Sequence, residues 1–171
     1  DKISSTVTGY HAHCYFTSDT KEDAEYLHDI LFTNFVKDKD TEVKYTGKTF
    51  VSDEEKGNNA GGVFLSCMQE RGGPHVLPYF LCAFHPENFA AIIPVLMFNR
   101  KRLSVLVHPE TTHDPLNVIA NHISQALWIG RQLPFNFDFA QGFLQKNPEL
   151  TLEQIFKMFD YIPPPMPNSM A

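Results

Sequence analysis

The sequence predicts an α+β fold, built as one antiparallel sheet in β-α-β-β-α-β order with added C-terminal helices. Three observations carry this. Apolar, strand-like runs begin at Tyr10, Val63, His75 and Leu103. Apolar residues at helical spacing follow the first and third of these runs. A strong helix start follows the fourth, at Asp114-Pro115, with an acceptor at the cap and proline in the first turn. The order matches the ferredoxin-like arrangement, in which two helices cover one face of the sheet.

Each element has a local reason. Tyr10 to Phe16 reads as a strand bounded by Gly9 and Thr17-Ser18-Asp19. Ala24, Leu27, Leu31 and Phe35 predict a helix, with Asp19 or Thr20 as its cap. The polar stretch 37–60 offers Val43 to Val51 as a short edge strand, and residues 52–62 are expected to form a mobile loop. Val63 to Gln69 is a strand, Gly72-Gly73-Pro74 a tight turn, and His75 to Phe84 the next strand. Pro78 has no N–H to give a ladder, so it marks an irregular spot there. Pro86 to Asn99 predicts a helix with Phe89, Ile92, Ile93 and Leu96 on one side, bent or shortened by Pro94. Leu103 to Val107 forms the last strand and ends at His108-Pro109. Beyond Asp114-Pro115, a stripe of Leu116, Ile119, Ala120, Ile123 and Leu127 predicts a helix running to Gly130. Pro134 to Phe139 is expected to be extended and Thr151 to Tyr161 a short helix. The whole of residues 1–171 is read as one domain with flexible ends at 1–8 and 163–171.

Composition excludes several classes. The chain has 171 residues and a formal charge of −6, and its only compact basic run is Arg100-Lys101-Arg102. Phosphate backbones demand clustered cations, so nucleic acid is not expected as a partner. No apolar run approaches the ~20 residues needed to cross a bilayer, and no signal-peptide pattern opens the sequence. Cys14, Cys67 and Cys82 are odd in number, lack a CxxC spacing and sit in apolar runs. Buried free thiols in a reducing, cytoplasmic setting are expected. An exposed sheet face or edge would permit a homodimer.

The histidines carry the chemical signal. His11 and His13 stand two apart on one strand and so share a sheet face. His75 opens a second strand, His108 closes the last, and His122 lies on the following helix. In the predicted sheet the first strand is central, taken as parallel to the third and antiparallel to the fourth. That places His11, His75 and His108 at one end, with His13 one step inward. Neutral imidazole is a good ligand for iron, zinc, copper and nickel. His28 reads as a helix-side residue and His85 as a loop residue, while His113 is near enough to His108 to support it. Cys14 should face away from both neighbouring histidines. No GxSxG elbow, P-loop, GxGxxG or HExxH is present.

Several segments together resemble the DOPA 4,5-dioxygenase family of small extradiol dioxygenases. They are Tyr10-His11-Ala12-His13-Cys14-Tyr15-Phe16, Gly73-Pro74-His75 and the run from Leu103 to Thr111 that contains His108-Pro109-Glu110. Asn121-His122 and Ala126-Leu127-Trp128-Ile129-Gly130 follow in the family's order. The resemblance implies a ferredoxin-like fold, a non-haem iron(II), and cleavage of a catechol such as DOPA by O2. The family usually has Asp before the helical histidine, where this chain has Asn121. If that Asp orients the histidine, the basicity of His122 should be weaker here.

An extradiol reaction needs vacant positions on the metal, so three protein ligands are about the maximum. Three of His11, His13, His75 and His108 are expected to bind iron, and the fourth, or His122, to move protons. The working assignment gives His11, His75 and His108 to the metal and His13 and His122 to acid–base catalysis. Tyr15 and Trp128 are expected to wall the substrate pocket, and Arg71 to meet a substrate carboxylate. Phe80 could join that wall or pack in the core. Zinc could replace iron in isolated protein. The rival readings are a zinc-dependent hydrolase using the same histidines and a non-catalytic ligand-binding domain.

Overall fold

A computed structural model describes residues 7–36, 62–111, 115–148, 150–158 and 160–166. The expected edge strand Val43–Val51, most of the 52–62 loop, His113 and the Asp114 cap lie outside them. The order is β1 (Gly9–Tyr15), α1 (Lys21–Phe35), β2 (Val63–Leu65), β3 (Tyr79–Phe84), α2 (Phe89–Asn99) and β4 (Ser104–Glu110). It continues with α3 (Pro115–His122), β5 (Leu127–Ile129), α4 (Phe137–Lys146) and α5 (Leu152–Met158). The sheet runs β2-β3-β1-β4-β5, with antiparallel pairing throughout. This is the α+β, ferredoxin-like order with a fifth strand added beside β4.

The two faces of the sheet have separate tasks. Along β1, Ala12 and Cys14 point to one face, and His11, His13 and Tyr15 to the other. The first face packs Phe80, Cys82, Phe84, Val105 and Val107 against Ala24, Leu27 and Leu31 of α1 and Ile92 and Leu96 of α2. Burying a side chain of this size stabilises the fold by about 1.5–3 kcal/mol relative to exposure. Phe80 belongs to this core, where it meets His28, whose Nε2 lies 3.0 Å from the Ser66 carbonyl. The second face carries the histidines beneath Leu77, Leu133 and the segments that follow β4. A smaller core of Ile119, Ile123, Phe135, Ala140, Ile155 and Tyr161 holds those segments together. Tyr161 ties its end down, since its hydroxyl accepts the Phe135 N–H at 3.0 Å.

Several sequence expectations are corrected. β3 runs antiparallel to β1, pairing Tyr10 with Phe84 and Tyr15 with Tyr79. It begins at Tyr79, just past Pro78, so His75 stands on the preceding loop rather than opening the strand. β2 is cut to three residues. After it the Ser66 hydroxyl accepts the Leu81 N–H at 2.9 Å, while an isolated bridge joins Gln69 to Tyr79. The helix expected to reach Gly130 stops at His122, because Leu127-Trp128-Ile129 pair with the free edge of β4. The stretch expected to be extended to Phe139 turns helical at Phe137, capped by the Asn136 Oδ1 on the Asp138 N–H. Cys14 and Cys82 are buried, but Cys67 is exposed. No helix among the described residues is long and apolar enough to cross a membrane.

Gly130 ends β5 with φ +93°, a conformation that favours glycine. A Cβ there would stand 2.9 Å from Arg100 Nη1 and 3.1 Å from the Leu103 carbonyl. Arg100 itself donates to that carbonyl at 2.9 Å, which limits its room to move. Gly130→Ala is therefore expected to lower unfolding free energy by about 1–3 kcal/mol in urea titration. An unchanged midpoint would show that the β4–β5 corner is not held this way.

Candidate functional site

Five imidazoles converge on the second face. Direct pairing of His11 with His108 across β1 and β4 sets two of them side by side. His13 follows two residues along on the same face. The remaining pair arrives from outside the sheet. The loop before β3 folds His75 back over β1, and α3 lowers His122 onto His108. Ring centroids lie 4.1 Å apart for His13–His75 and for His108–His122, and 5.2 Å for His11–His108, His13–His108 and His75–His122. Thus His75 does join the cluster, though by loop closure and not by the parallel pairing expected.

The partners of the Nδ1 atoms fix how the rings face. His11 Nδ1 lies 3.2 Å from Glu110 Oε1, and His108 Nδ1 lies 3.5 Å from that same oxygen and 3.1 Å from the Pro109 carbonyl. His122 Nδ1 donates to the Val118 carbonyl at 2.7 Å, and His75 Nδ1 meets the Tyr15 hydroxyl at 2.8 Å. A carbonyl only accepts, so His108 and His122 carry their protons on Nδ1 and present a lone pair on Nε2. His13 is turned the other way: its Nε2 lies 3.1 Å from His108 Nε2. With a lone pair on His108, the His13 Nε2 must donate there, or both nitrogens must face one cation. The buried Nε2 of His11, Nδ1 of His13 and Nε2 of His122 have no hydrogen-bond partner.

Burial is the main cause of the electrostatics. Desolvation holds His11 down at about 3, His75 at about 2 and His122 at about 4, and His13 and His108 well below the usual value. Mutual repulsion among the rings adds to this for all but His122, whose bond to Val118 acts in the opposite sense. All five rings are therefore neutral near pH 7, the state a metal needs. Desolvation also raises the Glu110 carboxyl to about 7.

The residues fit a metal ion. Potential ligand atoms of His11, His13 and His108 all lie within 4.8 Å of one another, as do those of His13, His75 and His122. Two nitrogens bound about 2.1 Å from one ion stand roughly 3–3.5 Å apart, close to the His13–His108 separation. The orphaned Nε2 atoms of His11 and His122, with Nδ1 partners behind, give both donors and their orientation, and His13 leaves its Nδ1 without a partner. The triad His11, His75 and His108 assigned from sequence is not one of the two groups. His13 belongs to both.

Other site expectations fare differently. Tyr15 is buried, stacks on Trp128 at 5.9 Å, and supports His75. Trp128 shares the site face, and its buried indole N–H has no acceptor. Arg71 is exposed on the turn before His75, with no hydrogen bond or ion pair to the cluster among the described residues. Asn121 is buried with an unpartnered Oδ1, and the bond that orients His122 comes from Val118. Glu110 enters the sequence reading only within the run after His108, with no role assigned to it. Its i+2 spacing from His108 on one strand was the available signal.

Fold and site together define a class: a ferredoxin-like α+β domain carrying a buried histidine cluster suited to a metal. The chain belongs to the Dopa 4,5-dioxygenase family, whose model matches residues 10–139. An uncharacterized 21.2 kDa protein of Botryotinia fuckeliana is 38% identical over 83 residues, 46% of this chain and 45% of that one. A DOPA 4,5-dioxygenase of Amanita muscaria is 36% identical over 64 residues, 37% of this chain and 26% of that one. The chain thus matches less than half the length of these curated relatives. The crystal structure of a presumptive dioxygenase from Nostoc punctiforme superposes with a TM-score of 0.60 at 25% identity, covering 84% of this chain and 99% of that one.

Metal-free protein should lose stability as the pH falls. An imidazole held below its free value of 6.5 gains a proton on unfolding, so acid favours the unfolded chain from about 6.5 down to the folded values near 4, 3 and 2. Each such group contributes about 1.4 kcal/mol per pH unit. Glu110 opposes them, since its folded value of about 7 exceeds the free 4.5 and it releases a proton on unfolding between the two. Five histidines against one carboxyl leave a net loss on the order of 4 kcal/mol between pH 7 and 5.5. Urea unfolding in the presence of a chelator at those two pH values measures it. A flat profile would contradict the burial of neutral rings.

Proposed function

We propose that the chain is an extradiol ring-cleaving dioxygenase that opens a catechol such as DOPA with O2 and a non-haem iron(II). The observation that carries this reading is the cluster of neutral imidazoles with inward nitrogens left unpartnered. Membership of a dioxygenase family supports the reaction class.

His11, His13 and His108 are the residues we assign to the iron. They form one of the two groups within reach of a single ion, and Glu110 backs two of the three. This set takes His13 in place of His75 of the sequence assignment. Three ligands leave positions vacant, and iron(II) held there would supply chelation of both catechol oxygens and a one-electron path to O2.

The remaining groups handle protons and shape. His122 offers an Nε2 lone pair, fixed by its Nδ1 bond to Val118, and so can accept a catechol proton. His75 can hold or return a proton, because the Tyr15 hydroxyl is able to donate to or accept from its Nδ1. Tyr15 and Trp128 give the ring an aromatic wall, and the free indole N–H can hold a polar substituent of the substrate. Burial excludes bulk water from the whole group, which strengthens each of these contacts.

Anaerobic loading with iron(II), followed by O2 uptake with a panel of catechols, tests the reading. Stoichiometric uptake and a new yellow chromophore are expected, with His108→Ala losing metal and activity together. His122→Ala should retain iron and lose about 10²–10⁴-fold in rate. Activity supported by zinc with no O2 consumption would replace this reading with a metal-dependent hydrolase.

A further inference from the structure

Four of the clustered imidazoles sit on regular elements: His11 and His13 on β1, His108 on β4 and His122 at the end of α3. His75 stands on the loop that the Gln69–Tyr79 bridge closes. Its ring packs 4.1 Å from His13 and 4.3 Å from Tyr79, so a shift of its backbone would carry the imidazole off both. Loops lack a ladder to hold them and need anchors of their own. Inside this one, the His75 N–H donates to the Gly72 carbonyl at 3.1 Å, and Gly73 turns the chain with φ +56°. Among the described residues, both hydrogen bonds that reach the Gly73-Pro74 backbone from outside the loop come from Asn136. Its N–H donates to the Pro74 carbonyl at 3.0 Å, and its Nδ2 donates to the Gly73 carbonyl at 2.8 Å. Its Oδ1 accepts the Asp138 N–H at 3.2 Å and so caps α4.

We infer that Asn136 is a positioning residue, whose amide joins the start of α4 to the Gly73-Pro74 turn and so sets where the His75 imidazole stands over His13. The chemistry of the side chain fits this double task. A cap needs an acceptor, which Asp supplies as well as Asn. The bond to Gly73 needs a donor at the same time. A carboxylate has none, whereas an amide carries acceptor and donor on separate atoms. Its two partners, an N–H and a carbonyl, fix which way the amide faces. The residues just before Asn136 are anchored as well. Leu133 is buried in one cluster with Leu77, two residues past His75, and the buried Phe135 ring lies 6.5 Å from His122. Residues 133–136 thus hold the loop by hydrogen bonds before His75 and share its apolar packing after it. The consequence for turnover rests on the role proposed above for His75, as a group that holds or returns a proton. The ion assigned to His11, His13 and His108 does not depend on it.

Two variants test the clamp. Asn136→Asp still caps α4 but sets a carboxylate oxygen against the Gly73 carbonyl. Asn136→Ala removes the donor without adding charge, so the effect common to both belongs to the lost bond. In the whole chain without added iron, NMR of the His75 ring nitrogens reads the Nδ1 bond to Tyr15. Both variants are expected to shift those resonances and to speed amide exchange at His75 about tenfold, the worth of one hydrogen bond. Iron-loaded Asn136→Asp should keep its iron content and KM and lose kcat by about 10–100-fold. In a His75→Gln background the same substitution should cost nothing further, because it acts through that ring. Equal losses with and without His75 would mark a purely structural residue and overturn the proposal. Unshifted His75 resonances would overturn it too. A parent chain that opens no catechol defeats the function proposed above and leaves the resonances to decide this one.

Discussion

The pairing of β1 with β4 is the constraint on which the rest of the structure depends. It sets His11 opposite His108 and leaves His13 one pleat further along. The same register sends Ala12, Cys14, Val105 and Val107 into the helix-covered core. Core and site are therefore alternate residues of the same two strands. A slip of one residue would drive imidazoles into the apolar layer and apolar side chains into the site. Packing under α1 and α2 thus holds the histidine face in place without touching it.

Burial on this scale is costly, and the surroundings show how the cost is met. An unpaired buried polar group costs about 1–3 kcal/mol, and five imidazoles offer ten ring nitrogens. Glu110, the Pro109 and Val118 carbonyls and the Tyr15 hydroxyl supply partners for four Nδ1 atoms. These partners sit behind the rings, so the unpartnered Nε2 atoms of His11 and His122 point the other way. A cluster with no further task could have closed those bonds among its own members. The inward nitrogens left without partners are best understood as donors held for a ligand that neutral imidazole favours. Glu110 has a further part, since one oxygen close to both His11 and His108 gathers rings from two strands.

Much of this was legible in the chain, for identifiable reasons. Alternation in Tyr10 to Phe16 gave β1, and with it the shared face of His11 and His13. Helical spacing gave α1 and α2, and the motif order pointed to the family. The sense of β3 was not legible, because the parallel relation assumed for it ignored the hairpin geometry that a Gly-Gly-Pro turn imposes. His75 was placed in the site for a reason that did not hold, and reached it instead by a loop that Pro78 keeps out of the ladder. β5 was hidden because Leu127 continues the helical stripe of α3. Only the open edge of β4 decides between helix and strand for that segment, and an edge is a tertiary feature. The partners of the Nδ1 atoms were hidden likewise, since two of them are backbone carbonyls that any sequence could supply.

Two features of the same sheet thus look in opposite directions. One face gathers neutral imidazoles into a buried cluster, and the other packs the helix-covered core. X-ray absorption at the iron edge of anaerobically loaded protein reads the ligand shell directly. About three imidazole nitrogens at roughly 2.1 Å are expected, with lighter, exchangeable scatterers completing the shell. A shell without imidazole scattering, or one filled entirely by protein nitrogens, would contradict that expectation.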